Sequence, residues 1–541
     1  MTHRALSGVF VCLAVLLTAV GARPAPAQTA DDVLRFSLRS PTPSARALGM
    51  AGGGTAGWAD LSAMATNPAG LGYYTSSAFS GGLDVLVADN SSSFRVGSGS
   101  ASGSSINESA VRLGSFGGGY KMPTKQGSLV FGVGFTRQHA FDRTLRYEGT
   151  NQQSSITDTF LPRPNEFAVD DQGVFFPDDV PTNIIPFIAF QGGAIEFFQG
   201  DFDAGQYPFE QAVLPGTEIV QEGRVHREGR TNEINFAGAA EVAPNVMLGV
   251  SANIAVGQYQ FQNRLTEIDQ GENSNYEVLR DGEFFEGLDQ LSFQERFESE
   301  FTGFNVRTGL SAELTPSVRV GLTVETPTWT AVSEDFTDAI VRTDFLDGTS
   351  LAYGNDPNEE IGKGTFDYSI RTPWRLGAGL AYDNDRLRVS ADVEFLDWSN
   401  LELDSESFNF PEVNDCVSDE VVCFEDFEAV LNWRGGIEYD IAAGPSVRGG
   451  IAYRPDPRSF DFTAADGDTR DRSRTFLSLG ISYPLGDQLT LDAGWIQERM
   501  DDQFQPYQAA TPPNENTSII PPLVDEEVTR NQVRVGFRYS F

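Results

Sequence analysis

Once the first 27 residues are set aside, His139, His226, Cys416 and Cys423 are the side chains best suited to proton transfer, metal ligation or redox chemistry. A hydrolytic centre needs a histidine within hydrogen-bond reach of an acid or a nucleophile. Neither histidine sits in a motif that supplies this, and both read as rim residues flanking one long connection. The two cysteines lie close together with no histidine nearby, so a zinc site lacks ligands. In an oxidising compartment the pair reads as a disulfide that staples a loop. Asp466-Gly467-Asp468 with Asp471 supplies only part of a calcium loop and reads as a solvated acidic run. The expectation is therefore no enzyme, no metal and no cofactor.

The remaining candidates suit binding rather than bond making. Ile184-Ile185-Pro186-Phe187-Ile188-Ala189-Phe190 and Ile195-Glu196-Phe197-Phe198 form an apolar cluster inside a long polar connection. A long ordered loop usually has a role, and apolar surface outside a core marks a binding site. Phe187, Ile188, Phe190, Ile195, Phe197 and Phe198 are thus candidates to capture an apolar ligand; the alternative is that they anchor the loop. Gly117, Gly118, Gly132 and Gly134 fall on two neighbouring strands. Glycine there permits a kink and a lateral opening, or leaves room for a segment packed behind the wall.

The elements that hold these residues are strands. Leu387, Val389, Ala391, Val393 and Phe395 alternate with Arg388, Ser390, Asp392 and Glu394. The same two-residue period recurs from about residue 77 to the end. Charged residues on the second face of so many strands suit a polar lumen and not a dry sandwich core. Fourteen strands are predicted, at 77–88, 109–121, 127–141, 226–241, 245–264, 294–315, 317–333, 364–382, 386–400, 427–441, 446–456, 472–484, 487–500 and 527–541. Short turn-rich connections alternate with long polar ones, of which 142–225 is the longest. Tyr120, Tyr382, Tyr439, Tyr483 and Tyr539 each end an even-numbered strand, forming one girdle at one membrane interface. The reading is an all-β fold: a fourteen-stranded antiparallel transmembrane β-barrel with its long loops outside. Such a barrel is too wide to be filled by its own side chains, so it is open or plugged.

Both ends of the chain agree. Arg4, the apolar run Ala5–Val20 and Ala25-Pro26-Ala27 predict a signal peptide over 1–27, cleaved before Gln28. The final Val533–Phe541 alternates apolar and polar residues and ends on an aromatic. It resembles the C-terminal signal by which Gram-negative outer-membrane barrels are recognised for insertion, which implies barrel-assembly machinery as a partner. The net charge is −38, and Lys121, Lys125 and Lys363 are the only lysines. So acidic a surface argues against nucleic acid as partner, and suits either a high-salt habitat or acidic outer loops.

Residues 28–76 precede the first strand and do not alternate; with 77–541 as the barrel, they are the predicted plug. Asp60 is placed to cap a helical turn through Ala65, and Asn67-Pro68 to break it. Gly-Met-Ala-Gly-Gly at 49–53, Ala59-Asp60-Leu61-Ser62-Ala63 and Asn67-Pro68-Ala69-Gly70-Leu71 together resemble the N-terminal hatch of the FadL/TodX family. Asp397-Trp398-Ser399 also looks like a recurring segment of that family. The resemblance implies a fourteen-stranded barrel closed by a hatch, with Asn67, Pro68, Ala69 and Gly70 as the hatch motif. It implies a monomer in outer-membrane lipid that takes up long-chain fatty acids or other hydrophobic molecules by passive, ligand-gated diffusion. Two alternatives stay open: a FadL-like barrel serving protein secretion as a shuttle or binding scaffold, and a general porin.

Overall fold

The computed structural model describes residues 30–40, 44–97, 102–170, 173–176, 184–280, 282–354, 364–404, 427–441, 444–458, 470–513 and 519–541. The predicted signal peptide at 1–27, the expected Cys416–Cys423 disulfide and the Asp466–Asp468 run lie outside the described residues.

Fourteen antiparallel strands close into one barrel. They are β1 (Ala78–Arg95), β2 (Ser102–Lys121), β3 (Leu129–Ala140, continued by Arg143–Asn151), β4 (Ile219–Ala243), β5 (Val246–Asp269), β6 (Leu288–Thr315) and β7 (Val318–Glu325, continued by Trp329–Phe345). Then follow β8 (Gly364–Arg371, continued by Arg375–Asp383), β9 (Leu387–Asp397), β10 (Ala429–Asp440), β11 (Ser446–Arg454), β12 (Arg474–Leu485), β13 (Leu489–Phe504) and β14 (Leu523–Ser540). Each strand pairs with the next, and β14 pairs with β1 from Ala78↔Ser540 to Arg95↔Leu523. Closure joins the first strand to the last, as a spanning sheet requires. The breaks in β7 and β8 lie side by side, each at a proline that cannot donate to the ladder. Thr328 and Thr372 bridge them, through Thr328 N to Thr372 Oγ1 at 2.9 Å and Thr372 N to Thr328 O at 3.1 Å.

The wall is inverted relative to a soluble protein. Leu83, Leu248, Leu322, Leu380, Leu479 and Val535 are exposed on the outside. Asp84, Arg307, Glu325, Asp392, Glu438, Arg448 and Arg534 are buried inside. In the last strand Arg534 is fully buried and grips Asp84 of β1 with two bonds, Nε–Oδ1 at 2.5 Å and Nη2–Oδ2 at 2.7 Å. Among the described residues no helix is long and apolar enough to cross a membrane; the crossing is made by strands.

Fourteen strands appear where fourteen are expected, but many run further outward. β4, β5 and β6 hold 25, 24 and 28 residues, against the roughly 9–11 that cross a bilayer. Along β5 the pattern reverses. Leu248, Val250 and Ile254 face outward with Ser251 and Asn253 inside; higher up, Gln258 and Arg264 face outward with Tyr259, Phe261 and Leu265 inside. The upper strands stand in water and wrap an apolar core, so their outer face loses the apolar stripe on which the predicted boundaries rest. The long connection expected at 142–225 contributes to that core as a cap. It contains the continuation of β3, a helix at Ile184–Gln191 and a hairpin pairing Ile195–Phe197 with Phe209–Gln211.

Candidate functional site

The site begins with the residues that lie inside the barrel. Ser44 caps a short helix at Ala45–Leu48. Ala51, Gly52, Gly54 and Gly57 then take positive φ, which small residues tolerate best. Asp60 caps a 3-10 turn at Leu61–Ala65 by accepting from Ser62 N at 2.8 Å. Asn67 interrupts the helical path as its spacing predicts, but the chain resumes at once in a second 3-10 helix, Pro68–Tyr73. Proline suits the first position of a helix because its missing N–H would have had no partner there.

Asn67 holds this corner. Its Nδ2 donates to Thr55 O at 2.6 Å and to Leu310 O of β6 at 3.1 Å, and its Oδ1 accepts from Ala69 N at 3.0 Å. Pro68, Ala69 and Gly70 are buried beside it. Wall side chains secure the rest of the segment. Arg307 Nη1 donates to Met64 O at 2.8 Å, Ser311 Oγ to Ala56 O at 2.6 Å and Lys121 Nζ to Tyr74 O at 2.6 Å. Asp392 Oδ2 accepts from Gly54 N at 2.7 Å, and Glu438 pairs with Arg46 at 2.9 Å.

Contact this close requires a wall without side chains. A Cβ on Gly321 would come within 1.9 Å of Thr55 O, and one on Gly249 within 2.3 Å of Ala69 N. Gly379, Gly436, Gly450 and Gly494 meet the segment in the same way. Inward-facing glycine recurs strand after strand, well beyond the two strands whose glycines the sequence suggests make room for a packed segment.

The glycines expected at a kink divide. Gly117, Gly132 and Gly134 turn inward, where Cβ atoms would lie 3.5 Å from Met64 Cε, 2.8 Å from Met64 Sδ and 2.5 Å from Met64 Cε respectively. Gly118 meets only ordinary contacts, the nearest atom being Ala78 O at 3.7 Å. The irregularity in the wall lies just above them. β2 and β3 pair only from Ser115↔Thr136 to Lys121↔Val130. Beyond that, β3 bulges between Arg137 and His139 and continues along β4 as Arg143–Asn151. Its free edge is then met by inward side chains of β1: Asn90 Nδ2 donates to Thr144 O at 2.9 Å, and Ser92 Oγ donates to Arg146 O. The upper part of β3 has moved inward, leaving β2 without a backbone partner on that side.

A small cavity of about 50 Å³, partly open to solvent, lies behind this seam. Leu86, Ala110, Phe476 and Ile496 give it an apolar lining, and Arg137, Gln138, His139 and Arg530 a polar one. His139 is buried at the bulge, with Nδ1 3.2 Å from Ser40 Oγ, so it is not a rim residue. His226 lies higher, 2.8 Å from Thr144 Oγ1. Among the described residues no group of three or more His, Cys, Asp or Glu is placed to hold a metal ion.

The family model described as outer membrane protein transport protein (OMPP1/FadL/TodX) matches residues 225–509, more than half of the chain. The chain belongs to this family. Among solved structures it is similar to a Pseudomonas aeruginosa FadL homologue, at 13% identity and a TM-score of 0.53 over 93% of this chain and 99% of that one. It is also similar to the toluene transporter TodX of P. putida (13% identity, 92% and 97% coverage, TM-score 0.47). The toluene transporter TbuX of Ralstonia pickettii is a third (17% identity, 94% and 100% coverage, TM-score 0.45). No curated protein matches the chain by sequence. Membership of an outer-membrane family accounts for the exposed apolar belt and for the girdle of Tyr120, Tyr382, Tyr439 and Tyr483 on its surface. The family is described as one of transport proteins.

Against that family background, the expected capture residues are not the exposed cluster their surroundings suggest. Ile188 and Ile195 are fully buried, Phe190 and Phe197 are partly buried against the cap core, Phe187 is partly buried on Phe176 and Tyr353, and only Phe198 is exposed. The cap could form a core because the upper strands extend around it. The exposed apolar residues of the cap also include Phe202, Leu279, Phe284 and Leu346.

Proposed function

We propose that this barrel is a channel for passive, ligand-gated uptake of small hydrophobic molecules across the outer membrane. The observation that carries the reading is the seam between β2 and β3, where a cavity lies directly behind an unpaired stretch of wall. An apolar molecule gains nothing from a water-filled pore, but it gains by passing sideways into lipid. The lumen below is occupied by residues 45–74, bonded to wall side chains from β2 to β10. That arrangement supports a hatch over residues 28–76 and disfavours a general porin.

The neighbours described as toluene transporters and the family's FadL branch support two substrate classes, monoaromatic hydrocarbons and long-chain fatty acids. The amphipathic lining of the cavity matches the chemistry of either class. Exposed Phe198, together with Phe202 and Phe284, serves as first contact on the cap, and the buried members of the cluster hold the cap's shape. The protein acts as a monomer among outer-membrane lipids, inserted by barrel-assembly machinery after its signal peptide is removed. A strain lacking the protein, re-supplied with wild type or Asn67→Ala, tests this through uptake of labelled oleate and toluene. Wild type should restore uptake of at least one probe several-fold; uptake of both that is indifferent to the protein would sink the proposal.

A further inference from the structure

The seam is unpaired in its backbone but closed by side chains. Directly above the last β2–β3 pair, Arg137 Nε of β3 donates to Leu113 O of β2 at 3.1 Å. One step higher, both terminal nitrogens of Arg112 on β2 donate to the two carboxylate oxygens of Asp142. Asp142 lies at the point where β3 has turned inward. Higher still, Thr144 Oγ1 donates to Glu108 of β2, and His226 Nδ1 lies 3.6 Å from the same carboxylate. Leu113 and Val111, next to Arg112 on β2, are exposed on the lipid face. The Arg112–Asp142 pair is therefore level with lipid-facing side chains of the wall. Arg112 also lines the cavity behind the seam.

We infer that the Arg112–Asp142 pair is the latch of the lateral passage. This rests on the channel reading above and names the residues that govern its exit. Separating two paired strands breaks a whole ladder of backbone bonds at once. Opening this seam requires only that one bidentate ion pair and its two neighbouring side-chain bonds let go, each by rotation about side-chain torsions. The pair is partly buried, with side-chain exposures of 22% for Arg112 and 14% for Asp142, beside a cavity that is partly open to solvent. Bidentate geometry gives the closed state a defined register. Once the pair parts, the opening lies between Leu86 and Ala110 on the cavity side and Val111 and Leu113 on the lipid face.

The test measures opening without any substrate. In a Cys416→Ser, Cys423→Ser background, Ala110→Cys places a thiol on the cavity lining. In liposomes its labelling rate by a lipid-partitioned maleimide reports access through the seam. Asp142→Asn and Arg112→Gln are each expected to raise that rate at least tenfold. The double exchange Arg112→Asp with Asp142→Arg should bring it back to within about threefold of the parent. Heat-modifiable gel migration verifies that each variant is a folded barrel. Labelling that is unchanged in both folded single variants overturns the latch. Oleate and toluene uptake, measured separately, distinguishes the two proposals. A labelling response without uptake in the parent preserves the latch and removes the channel reading; uptake without a labelling response does the reverse.

Discussion

The side chain of Asn67 fills the space that any side chain at position 309 would need: a Cβ on Gly309 would lie 1.9 Å from Asn67 Oδ1. Wall and N-terminal segment are fitted to each other here to within an atom's radius. Gly309→Ala should therefore displace the Asn67 corner, and Asn67→Ala should loosen it by removing three hydrogen bonds. At about 1 kcal/mol each, the loss is about 3 kcal/mol. The two changes should not add, because removing the Asn67 side chain also removes the clash. Amide hydrogen exchange across Asn67–Tyr73 measures this. The expected order is fastest exchange for Gly309→Ala and slower exchange for the double variant; a strictly additive pair would contradict it.

Glu438 is the shared partner of three arginines. Arg46 reaches it from the N-terminal segment at 3.0 and 2.9 Å, and Arg388 and Arg448 reach it from β9 and β11. Its side chain is 1% exposed. Glu438→Gln leaves three guanidinium groups short of an anion in a confined space, at a cost of about 3–5 kcal/mol. Arg46→Gln leaves Glu438 with two cations and should cost about 1 kcal/mol. The temperature at which the barrel loses its folded gel mobility ranks the two. Arg46→Gln matching or exceeding Glu438→Gln would refute the account.

Glu267 gives the cap a pH dependence. It lies near the outer end of β5, well beyond Ile254 of the apolar belt, fully buried in the cap. It accepts from Ser155 Oγ at 2.5 Å, Ile156 N at 2.9 Å and Gln221 Nε2 at 2.6 Å. Burial pushes its carboxyl up to about 7, against the opposing pull of those donors. The folded cap thus holds a proton that the open chain releases at the usual carboxylate value. The contribution is fully favourable below about pH 4.5 and is lost as pH rises towards 7. Protease resistance of the cap should fall between pH 5 and pH 8 in the wild type. Glu267→Gln, neutral throughout, should flatten that fall; an unchanged profile in Glu267→Gln would assign the dependence elsewhere.

The membrane band was legible because lipid imposes one rule on every strand: an apolar residue at each outward position. The alternation of Val533 and Val535 with Arg534 carries both the strand and its orientation. The N-terminal segment was legible through its small residues and the Asp60 and Asn67 caps. Above the bilayer the rule changes sign, so Tyr259 and Phe261 point inward on the same strand that sends Leu248 and Val250 outward. A reading tuned to the lipid face ends the strand at the reversal, and it leaves Ile188 and Ile195 without a core to enter. The seam was hidden for a different reason. Whether the edge of β2 finds a partner depends on where β3 goes, and the side-chain pattern of β2 is the same either way. Arg112 and Asp142 are ordinary charged residues until the fold sets them face to face.

The bond between Arg534 and Asp84 joins positions 450 apart in the chain, and it has a consequence for the order of events in folding. The first strand waits for the last, at a loop-closure cost of about 5–6 kcal/mol that no earlier pairing can remove entirely. Residues 45–74 come before the first strand, yet they end up inside a wall whose final seam joins the first strand to the last, with Phe541 N bonded to Ser77 O at 2.9 Å. A segment bonded to so many strands cannot be threaded afterwards into a sealed cylinder without breaking those bonds one by one. It must already be lying on the inner surface when β14 arrives, so the contents are assembled first and the last strand traps them.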